Sequence, residues 1–273
     1  MKTASEALRS ARKIVVKLGS NTISDANGLV NKEAMRPIVA QIIELIRSGK
    51  RVVVVSSGAG SCGVGAIRKW SRRHNINYKQ ALCAIGQVEL MNAYKELFAE
   101  HDLVVAQLLL TRGDFEDPHR ELNVRNTLFT LVDEGVVPIV NENDCVSVDE
   151  IKIGDNDTLS ALTANLWAAD LLVLMSDIDG LYDKDPHQYE DAVLIESVSN
   201  VKELRKSIDT EGKSEFGTGG MVTKLHAAEM VNQYDTAMII TNSRKEDILG
   251  RLMRGEETAT VFYAGEELHT SGH

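Results

Sequence analysis

The chain has 273 residues, of which 43% are hydrophobic, and carries a formal net charge of −10 at pH 7. This length fits one large α/β domain or two small ones, and the hydrophobic fraction supports a substantial core. The negative charge disfavours a surface for a nucleic-acid backbone, and no apolar run approaches the length that spans a bilayer. The polar start MKTASEALRSARK predicts no secretory signal.

The three cysteines indicate the compartment. Cys62, Cys83 and Cys145 are odd in number and show no C-x-x-C spacing, so they predict free thiols rather than a disulfide framework. A reducing environment, the cytoplasm, is therefore expected.

Strand and helix patterns alternate along the chain. Short apolar or β-branched runs predict strands at 12–17, 51–56, 103–110, 136–140, 171–175, 193–195, 236–241 and 259–262. Apolar residues at helical spacing predict helices at 33–46, 78–100, 122–134, directly after 157, and at 221–233 and 245–253. The long segment 207–220 has the glycine-rich composition of a mobile loop.

This alternation predicts the fold class. β-α repetition with short connections indicates one α/β domain over residues 1–273, a three-layer αβα sandwich with helices on both faces of a mainly parallel central sheet. Ligands bind such sheets at the carboxyl ends of the strands. The residues at those ends include Gly19 and Ser20, Ser57 and Gly58, 141–144, and Ser176 and Asp177.

The stretch 136–164 carries the clearest signal of a site. An apolar strand pattern breaks into the polar cluster 141–144 (NEND), and the acidic triplet 155–157 (DND) directly precedes a helical pattern in which Asp157 or Thr158 is placed as the N-cap. Taken singly, a polar loop and an ordinary cap explain these residues. Taken together, carboxylate and carboxamide groups that converge from a strand end and a helix start favour a binding site.

Gly58, Gly60 and Gly63 follow a strand with the spacing of the dinucleotide-binding fingerprint, so a nicotinamide or flavin oxidoreductase is one alternative. That fingerprint expects an acidic residue about twenty positions further on. Residues 64–88 contain neither Asp nor Glu, and the motif follows the second strand rather than the first. We interpret the match as accidental, although the glycines can still bring backbone N–H groups close to an anion.

In the run GTGGMVTK at 217–224, glycines precede a predicted helix, and a lysine follows within the first turn of that helix. Exposed N–H groups and the helix dipole attract phosphate oxygens there, and the ammonium of Lys224 adds a full charge. By itself, a flexible loop with a surface lysine explains this segment equally well. Lys17 at another glycine-bearing turn, together with Asp157 and Lys224, matches what phosphoryl transfer requires.

Six segments in order, VVKLGS, VVVVSSGA, VPIVNEND, IKIGDND, SDIDGLYDKDP and GTGGMVTK, carry a family resemblance that covers essentially the whole chain. Each segment is a modest signal, but their combination is highly specific. The chain resembles the glutamate 5-kinases of the amino acid kinase family. The resemblance implies an amino acid kinase-like fold, with ATP and Mg²⁺ used to phosphorylate the γ-carboxylate of L-glutamate to γ-glutamyl phosphate, the first step of proline biosynthesis.

Matched position by position, the resemblance assigns Lys17 and Lys224 to the stabilisation of transition-state charge and Asp157 to the positioning of both lysines. It assigns glutamate binding to Ser57, Gly58, Asp144 and Asn156. It identifies no metal ligand, and it assigns ATP binding to Lys17, Gly19, Ser176, Asp177, Thr218, Gly219, Gly220, Met221 and Lys224.

Two departures from the family pattern affect what is transferred. Many relatives have an aliphatic residue where this chain has Gly60, and many bacterial members carry a C-terminal PUA domain for which this chain ends too early. The expected partners are L-glutamate and ATP, proline as a feedback inhibitor, glutamate-5-semialdehyde dehydrogenase as a functional partner, and further copies of the chain in a dimer or tetramer.

Two other functions stay open at this point. A family member with a different acceptor, such as N-acetylglutamate, aspartate or uridylate, would carry similar motifs. A non-catalytic sensor of proline or glutamate would share the fold, but the retention of Lys17, Asp157 and Lys224 disfavours it.

Overall fold

A computed structural model of the protein describes residues 2–68, 75–147, 153, 155–186, 188–210 and 219–264, the side chains of 207–210 and 219 excepted. The strands in this part of the chain are β1 (Lys13–Leu18), β2 (Arg51–Ser56), β3 (Val105–Leu110), β4 (Val137–Glu142), β5 (Leu171–Ser176), β6 (Leu181–Tyr182), β7 (Leu194–Ile195), β8 (Ser197–Val198), β9 (Ala237–Asn242) and β10 (Thr260–Phe262). Eight of them form one sheet in the order β3-β4-β2-β1-β5-β9-β10-β8, and β6 pairs separately with β7.

The sheet is parallel in every pairing except that of β9 with β10. The central strand β1 lies between β2 and β5, and Lys17 is in register with Val55 on one side and Leu174 on the other. The mainly parallel sheet predicted from the sequence is confirmed. Because the strands share a direction, the carboxyl ends of β1, β2, β4 and β5 meet at one edge.

The described helices are α1 (Ala4–Ser10), α2 (Ser20–Ile23), α3 (Lys32–Arg47), α4 (Ala59–Ile67), α5 (Ile76–Ala99), α6 (Arg112–Glu116), α7 (Pro118–Asp133), α8 (Asn156–Trp167), α9 (Val201–Thr210), α10 (Gly219–Asn232) and α11 (Ile248–Arg254). Within the described residues, no helix combines the length and hydropathy that crossing a bilayer requires.

Two hydrophobic clusters lie on opposite faces of the sheet. Ile14 and Val16 of β1 join one cluster, with residues of α1, α3, α5 and α11, whereas Val15 joins the other, with residues of α7, α8 and α10. Successive strand residues point to opposite faces, so this division confirms the three-layer αβα arrangement. It also places Lys17 on the face that α8 and α10 cover.

Several local predictions are wrong. The short helices α1, α2, α4 and α6 were not predicted, and the helix expected at 245–253 begins only at Ile248. Part of the segment expected to be a loop at 207–220 is helical, because α9 extends to Thr210 and α10 begins at Gly219. Residues 211–218 of that segment lie outside the described residues.

Close packing of α4 on α5 explains the glycine spacing that resembles a dinucleotide fingerprint. A Cβ on Gly63 would overlap the carbonyl group of Leu82, and a Cβ on Gly86 would overlap the backbone of Ala59 and Gly63. Gly58 precedes α4 with φ +93°, in the left-handed region that favours glycine. The glycines therefore allow two helix backbones to touch beside the sheet edge.

We expect Gly86→Ala to lower the free energy of unfolding by roughly 1–3 kcal/mol, the usual range for overpacking. The added Cβ would lie 2.9 Å from the carbonyl carbon of Ala59 and closer still to its oxygen, so α4 would have to move. Chemical denaturation measures the loss. Gly113→Ala is the matched control, because its nearest contact is a flexible arginine side chain at 3.6 Å. Equal stability of both variants would contradict the packing argument.

Candidate active site

Three charged side chains meet at the sheet edge. Lys17 comes from the end of β1, Asp157 from the first turn of α8, and Lys224 from α10. The Asp157 carboxylate holds the Lys17 ammonium 2.7 Å from Oδ1 and the Lys224 ammonium 3.1 Å from Oδ2. The hydroxyl of Thr223 also donates a hydrogen bond of 2.8 Å to Oδ2. One carboxylate thus fixes two cations, and these are the three charged residues predicted from the sequence to act together.

Burial makes this cluster electrostatically strong. The side chain of Asp157 is 5% exposed and those of both lysines are 11% exposed. Burial alone would raise the pKa of Asp157, but the ammonium groups of Lys17 and Lys224 and the hydrogen bonds outweigh it, so the pKa lies below its ordinary value. The carboxylate is therefore ionised at neutral pH and keeps both ammonium groups in place.

The start of α8 differs from its prediction. The N-cap is Asp155, whose carboxylate accepts hydrogen bonds from the backbone N–H and the hydroxyl of Thr158, at 2.8 and 3.0 Å. Neither Asp157 nor Thr158 caps the helix as predicted. Because the cap lies earlier, Asn156 and Asp157 belong to the first helical turn. There Asn156 faces β2 and Asp157 faces the lysines, which separates their contacts.

A cleft of about 470 Å³ opens beside the charged cluster. Lys17 and Asp157 line it, and the structure brings together there the four residues predicted to bind the acceptor: Ser57, Gly58, Asp144 and Asn156. Ser20, Asn141 and Glu142, which the sequence placed at strand ends, and Gly60 of the glycine motif also line the cleft, as do Lys79 and Cys83, which were not predicted as site residues. Lys79 and Cys83 lie on α5, where helical periodicity gave no sign that this face reaches a site.

Hydrogen bonds fix the walls of the cleft. The amide nitrogen Nδ2 of Asn156 donates to the carbonyl of Ser56 at 2.7 Å and to the hydroxyl of Ser57 at 2.8 Å. On the opposite wall, burial first and then the neighbouring Asp144 carboxylate raise the pKa of Cys83 to about 12, so this thiol stays protonated and inert. Gly60 lies beside this thiol, and a Cβ there would make an ordinary contact of 3.4 Å with the sulfur of Cys83.

The predicted nucleotide-binding residues lie on the other side of β1. Asp177 follows β5, and its carboxylate accepts hydrogen bonds from Ser176 at 3.2 Å and from Asn21 of α2 at 3.4 Å. Burial would raise the pKa of Asp177, but hydrogen bonds from its own backbone and from these side chains lower it overall. Gly19 precedes α2 as its N-cap. Ser176, Asp177 and Gly19 are therefore neighbours at the sheet edge.

The start of α10 reaches the same edge. Gly219 and Gly220 open the helix, and the Gly220 carbonyl accepts hydrogen bonds from Thr223 and Lys224, at 3.0 and 3.2 Å. Met221 is buried in the apolar cluster beneath, so its side chain anchors this helix start. Thr218, also predicted to bind nucleotide, lies outside the described residues.

No group of three or more His, Cys, Asp or Glu side chains in the described part of the chain is arranged to hold a metal ion. Asp177, at the carboxyl end of β5 and with a lowered pKa, supplies one ionised carboxylate, and Mg²⁺ binds through one or two such groups together with water and substrate phosphates.

Solved structures of two kinases are similar to this fold. The UMP kinase of Bacillus anthracis matches with a TM-score of 0.63 at 15% identity, covering 93% of this chain and 97% of that one. The carbamate kinase of Giardia lamblia, solved with AMP-PNP, matches with a TM-score of 0.64 at 18% identity, covering 94% and 100%. These likenesses confirm the predicted fold, and at such low identity they show the fold alone.

Comparison with related sequences shows the family to which this chain belongs. The sequence model of the amino acid kinase family matches residues 12–242. The glutamate 5-kinase of Alkaliphilus metalliredigens is 57% identical over 96% of this chain and 99% of that protein. The glutamate 5-kinase of Clostridium acetobutylicum is 44% identical over 96% and 98%. The chain belongs to the amino acid kinase family and, within it, to the glutamate 5-kinases.

Proposed function

We propose that this protein transfers the γ-phosphoryl group of ATP to the γ-carboxylate of L-glutamate, forming γ-glutamyl phosphate and ADP. The observation that carries the proposal is the Lys17, Asp157 and Lys224 cluster at the end of β1, the strand between β2 and β5, with Lys17 and Asp157 lining the cleft. A phosphoryl group in transit between the two sides would lie against both ammonium groups. The full-length similarity to glutamate 5-kinases supports the same acceptor.

The protein takes little part in the covalent chemistry of this reaction. The γ-carboxylate is already ionised at neutral pH, with an ordinary pKa of about 4.3, so no general base is needed. One carboxylate oxygen forms a bond to the γ-phosphorus while the bond to the β,γ-bridging oxygen breaks, and ADP leaves. Lys17 and Lys224 stabilise the charge on the transferring group, and Asp157 holds them in position. Bound Mg²⁺ supplies charge neutralisation on the phosphates.

Free glutamate also carries an α-ammonium and an α-carboxylate. Asp144 and Lys79 both line the cleft, so Asp144 would pair with the ammonium and Lys79, the second lysine of the lining, would pair with the α-carboxylate. N-acetylglutamate lacks the ammonium, so it would leave the Asp144 carboxylate without a cationic partner. This difference favours free glutamate over its acetylated relative.

We expect Asp144→Asn to raise the KM for glutamate by about tenfold or more, since a hydrogen bond to a charged group contributes roughly 1.5–3 kcal/mol. The kcat should fall less, because the ammonium is held in ground and transition states alike. Steady-state kinetics with glutamate and N-acetylglutamate measure both. If a folded variant keeps its KM for glutamate and still rejects N-acetylglutamate, Asp144 only braces its loop.

The product chemistry suggests a partner. In γ-glutamyl phosphate the free amine can attack the activated carboxyl within the same molecule, so the compound cyclises readily in water. An enzyme that consumes it quickly, such as glutamate-5-semialdehyde dehydrogenase, is the expected functional partner. Feedback inhibition by proline and assembly into a dimer or tetramer belong to the same proposal. So does a cytoplasmic location, which the three free cysteines support.

A panel of acceptors with ATP and Mg²⁺ tests the function. ADP release is followed with L-glutamate, N-acetylglutamate, aspartate and UMP, and acyl phosphate is trapped with hydroxylamine. We expect hydroxamate only with glutamate. Turnover of another acceptor would establish the alternative family activity, whereas glutamate or proline binding without ADP release would indicate a sensor.

A further inference from the structure

A chain of buried amide side chains runs behind the acceptor cleft. Gln87 of α5 is 8% exposed, does not line the cleft, and accepts a hydrogen bond of 2.9 Å from Nδ2 of Asn141, which is 3% exposed. The amide of Gln87 donates in turn to Gln107 at 3.4 Å. Asn141 also approaches Asn156, since Oδ1 of Asn141 lies 3.3 Å from Nδ2 of Asn156. This series of amide side chains therefore ends at Asn156, a residue of the cleft wall.

Backbone groups fix the direction of these amides. The N–H of Glu142 can only donate, and it donates to Oδ1 of Asn141 at 2.9 Å, so Nδ2 of Asn141 must face Gln87. The carbonyl of Ser56 can only accept, and it accepts from Nδ2 of Asn156. With its nitrogen turned towards β2 and Asn141, Asn156 presents its oxygen Oδ1 to the cleft that it lines.

We propose that Gln87 is a positioning residue that, together with these backbone groups, holds Asn141 in place behind Asn156, so that the cleft offers the Asn156 oxygen, beside Asp144, to the α-ammonium of the acceptor. The inference rests on the proposed function and adds a determinant of its specificity. If the side-chain amide of Asn156 were flipped, its N–H groups would face the ammonium, and two sets of hydrogen-bond donors would repel each other. Gln87 sustains this arrangement because its Oε1 is the acceptor that Asn141 needs on its buried side.

Two substitutions of similar size separate this role from simple packing. Gln87→Met removes the acceptor, and we expect the KM for glutamate to rise roughly tenfold while kcat changes less than about threefold. Gln87→Glu keeps an acceptor oxygen towards Asn141, and as a neutral acid it can still donate to Gln107, so its KM should stay within about threefold of the parent. Gln41→Met is the matched control, since Gln41 is also a glutamine 8% exposed, bonded to Pro37 and Leu249 instead.

Inhibition by glutarate, which has both carboxylates but no amine, supplies a readout that lost stability cannot mimic. We expect its inhibition constant against glutamate to be the same in the parent and in Gln87→Met, because only the ammonium contact is lost. An unchanged glutamate KM in Gln87→Met would overturn the proposal, as would an equal loss in Gln87→Glu or a parallel loss of glutarate binding. Absence of ADP release from the parent protein with glutamate would instead refute the proposed function.

Discussion

Replacing Lys224 or Lys17 with methionine is expected to lower kcat by 10²-fold or more while the KM values for glutamate and ATP change little. Each ammonium stabilises charge that develops mainly during transfer, so its loss costs on the order of 3 kcal/mol in the transition state. Both lie within 3.1 Å of Asp157 and are almost fully buried, so water cannot replace them cheaply.

Lys50→Met is the matched control for both lysine variants. The Lys50 ammonium donates hydrogen bonds to the carbonyls of Arg9 and Ala11, at 3.0 and 2.7 Å, at the opposite edge of the sheet. Its loss should lower stability and leave kcat unchanged. Steady-state kinetics on folded protein decide the matter, and a normal kcat in Lys17→Met or Lys224→Met removes that lysine from the mechanism.

Asp157→Asn is expected to lower kcat by at least 10²-fold and the free energy of unfolding by about 3 kcal/mol. The neutral amide leaves two buried ammonium groups without a counter-charge, and breaking a buried pair by removing one partner costs that order of energy. Asp170→Asn is the control, because the Asp170 carboxylate accepts hydrogen bonds of 2.8 Å from the backbone N–H groups of Arg12 and Lys13 at the far edge of the sheet. Comparable kcat values in the two variants would contradict the assigned role.

The acid stability of the protein should depend on the same carboxylate. The folded-state pKa of Asp157 lies below its unfolded value near 3.8, so its contribution is fully present above that value. It is lost as the pH falls through the lower, folded-state pKa. The stability difference between the parent and Asp157→Asn should therefore be constant at neutral pH and shrink below about pH 4. A difference that grows in acid would mean that the carboxylate is not stabilised by the lysines.

The sequence predicted the sheet well because its strands are buried on both faces. Continuous apolar runs such as RVVVVS at 51–56 have few other structures available, and that strand matches its predicted bounds. The sequence also predicted a site at the carboxyl ends of the strands, because the polar residues that follow parallel strands all lie at one edge of the sheet. Lys17, Asp157 and Lys224 come from three distant segments and still meet there.

Local chemistry at helix starts was harder to predict. Asp155, Asp157 and Thr158 are all residue types that favour the N-cap, and the local sequence does not specify that Asp155 serves as the cap while Asp157 pairs with the lysines. The glycine-rich α4 lacks helix propensity, and its helix depends on contact with Gly86, 23 positions after Gly63 in the sequence. Gln87 gave no signal, because a buried glutamine on a helix is recognised only through its partner Asn141.

The most direct measurement of the central claim follows an oxygen atom. L-Glutamate labelled with ¹⁸O in its γ-carboxylate is incubated with the enzyme, ATP and Mg²⁺, and the inorganic phosphate released as the product cyclises is analysed by mass spectrometry. Transfer to the γ-carboxylate predicts phosphate that carries one ¹⁸O, because the bridging oxygen leaves with phosphorus, and no label when the α-carboxylate is labelled instead. Unlabelled phosphate from γ-labelled glutamate would mean that ATP is hydrolysed by water, and it would contradict the proposed reaction.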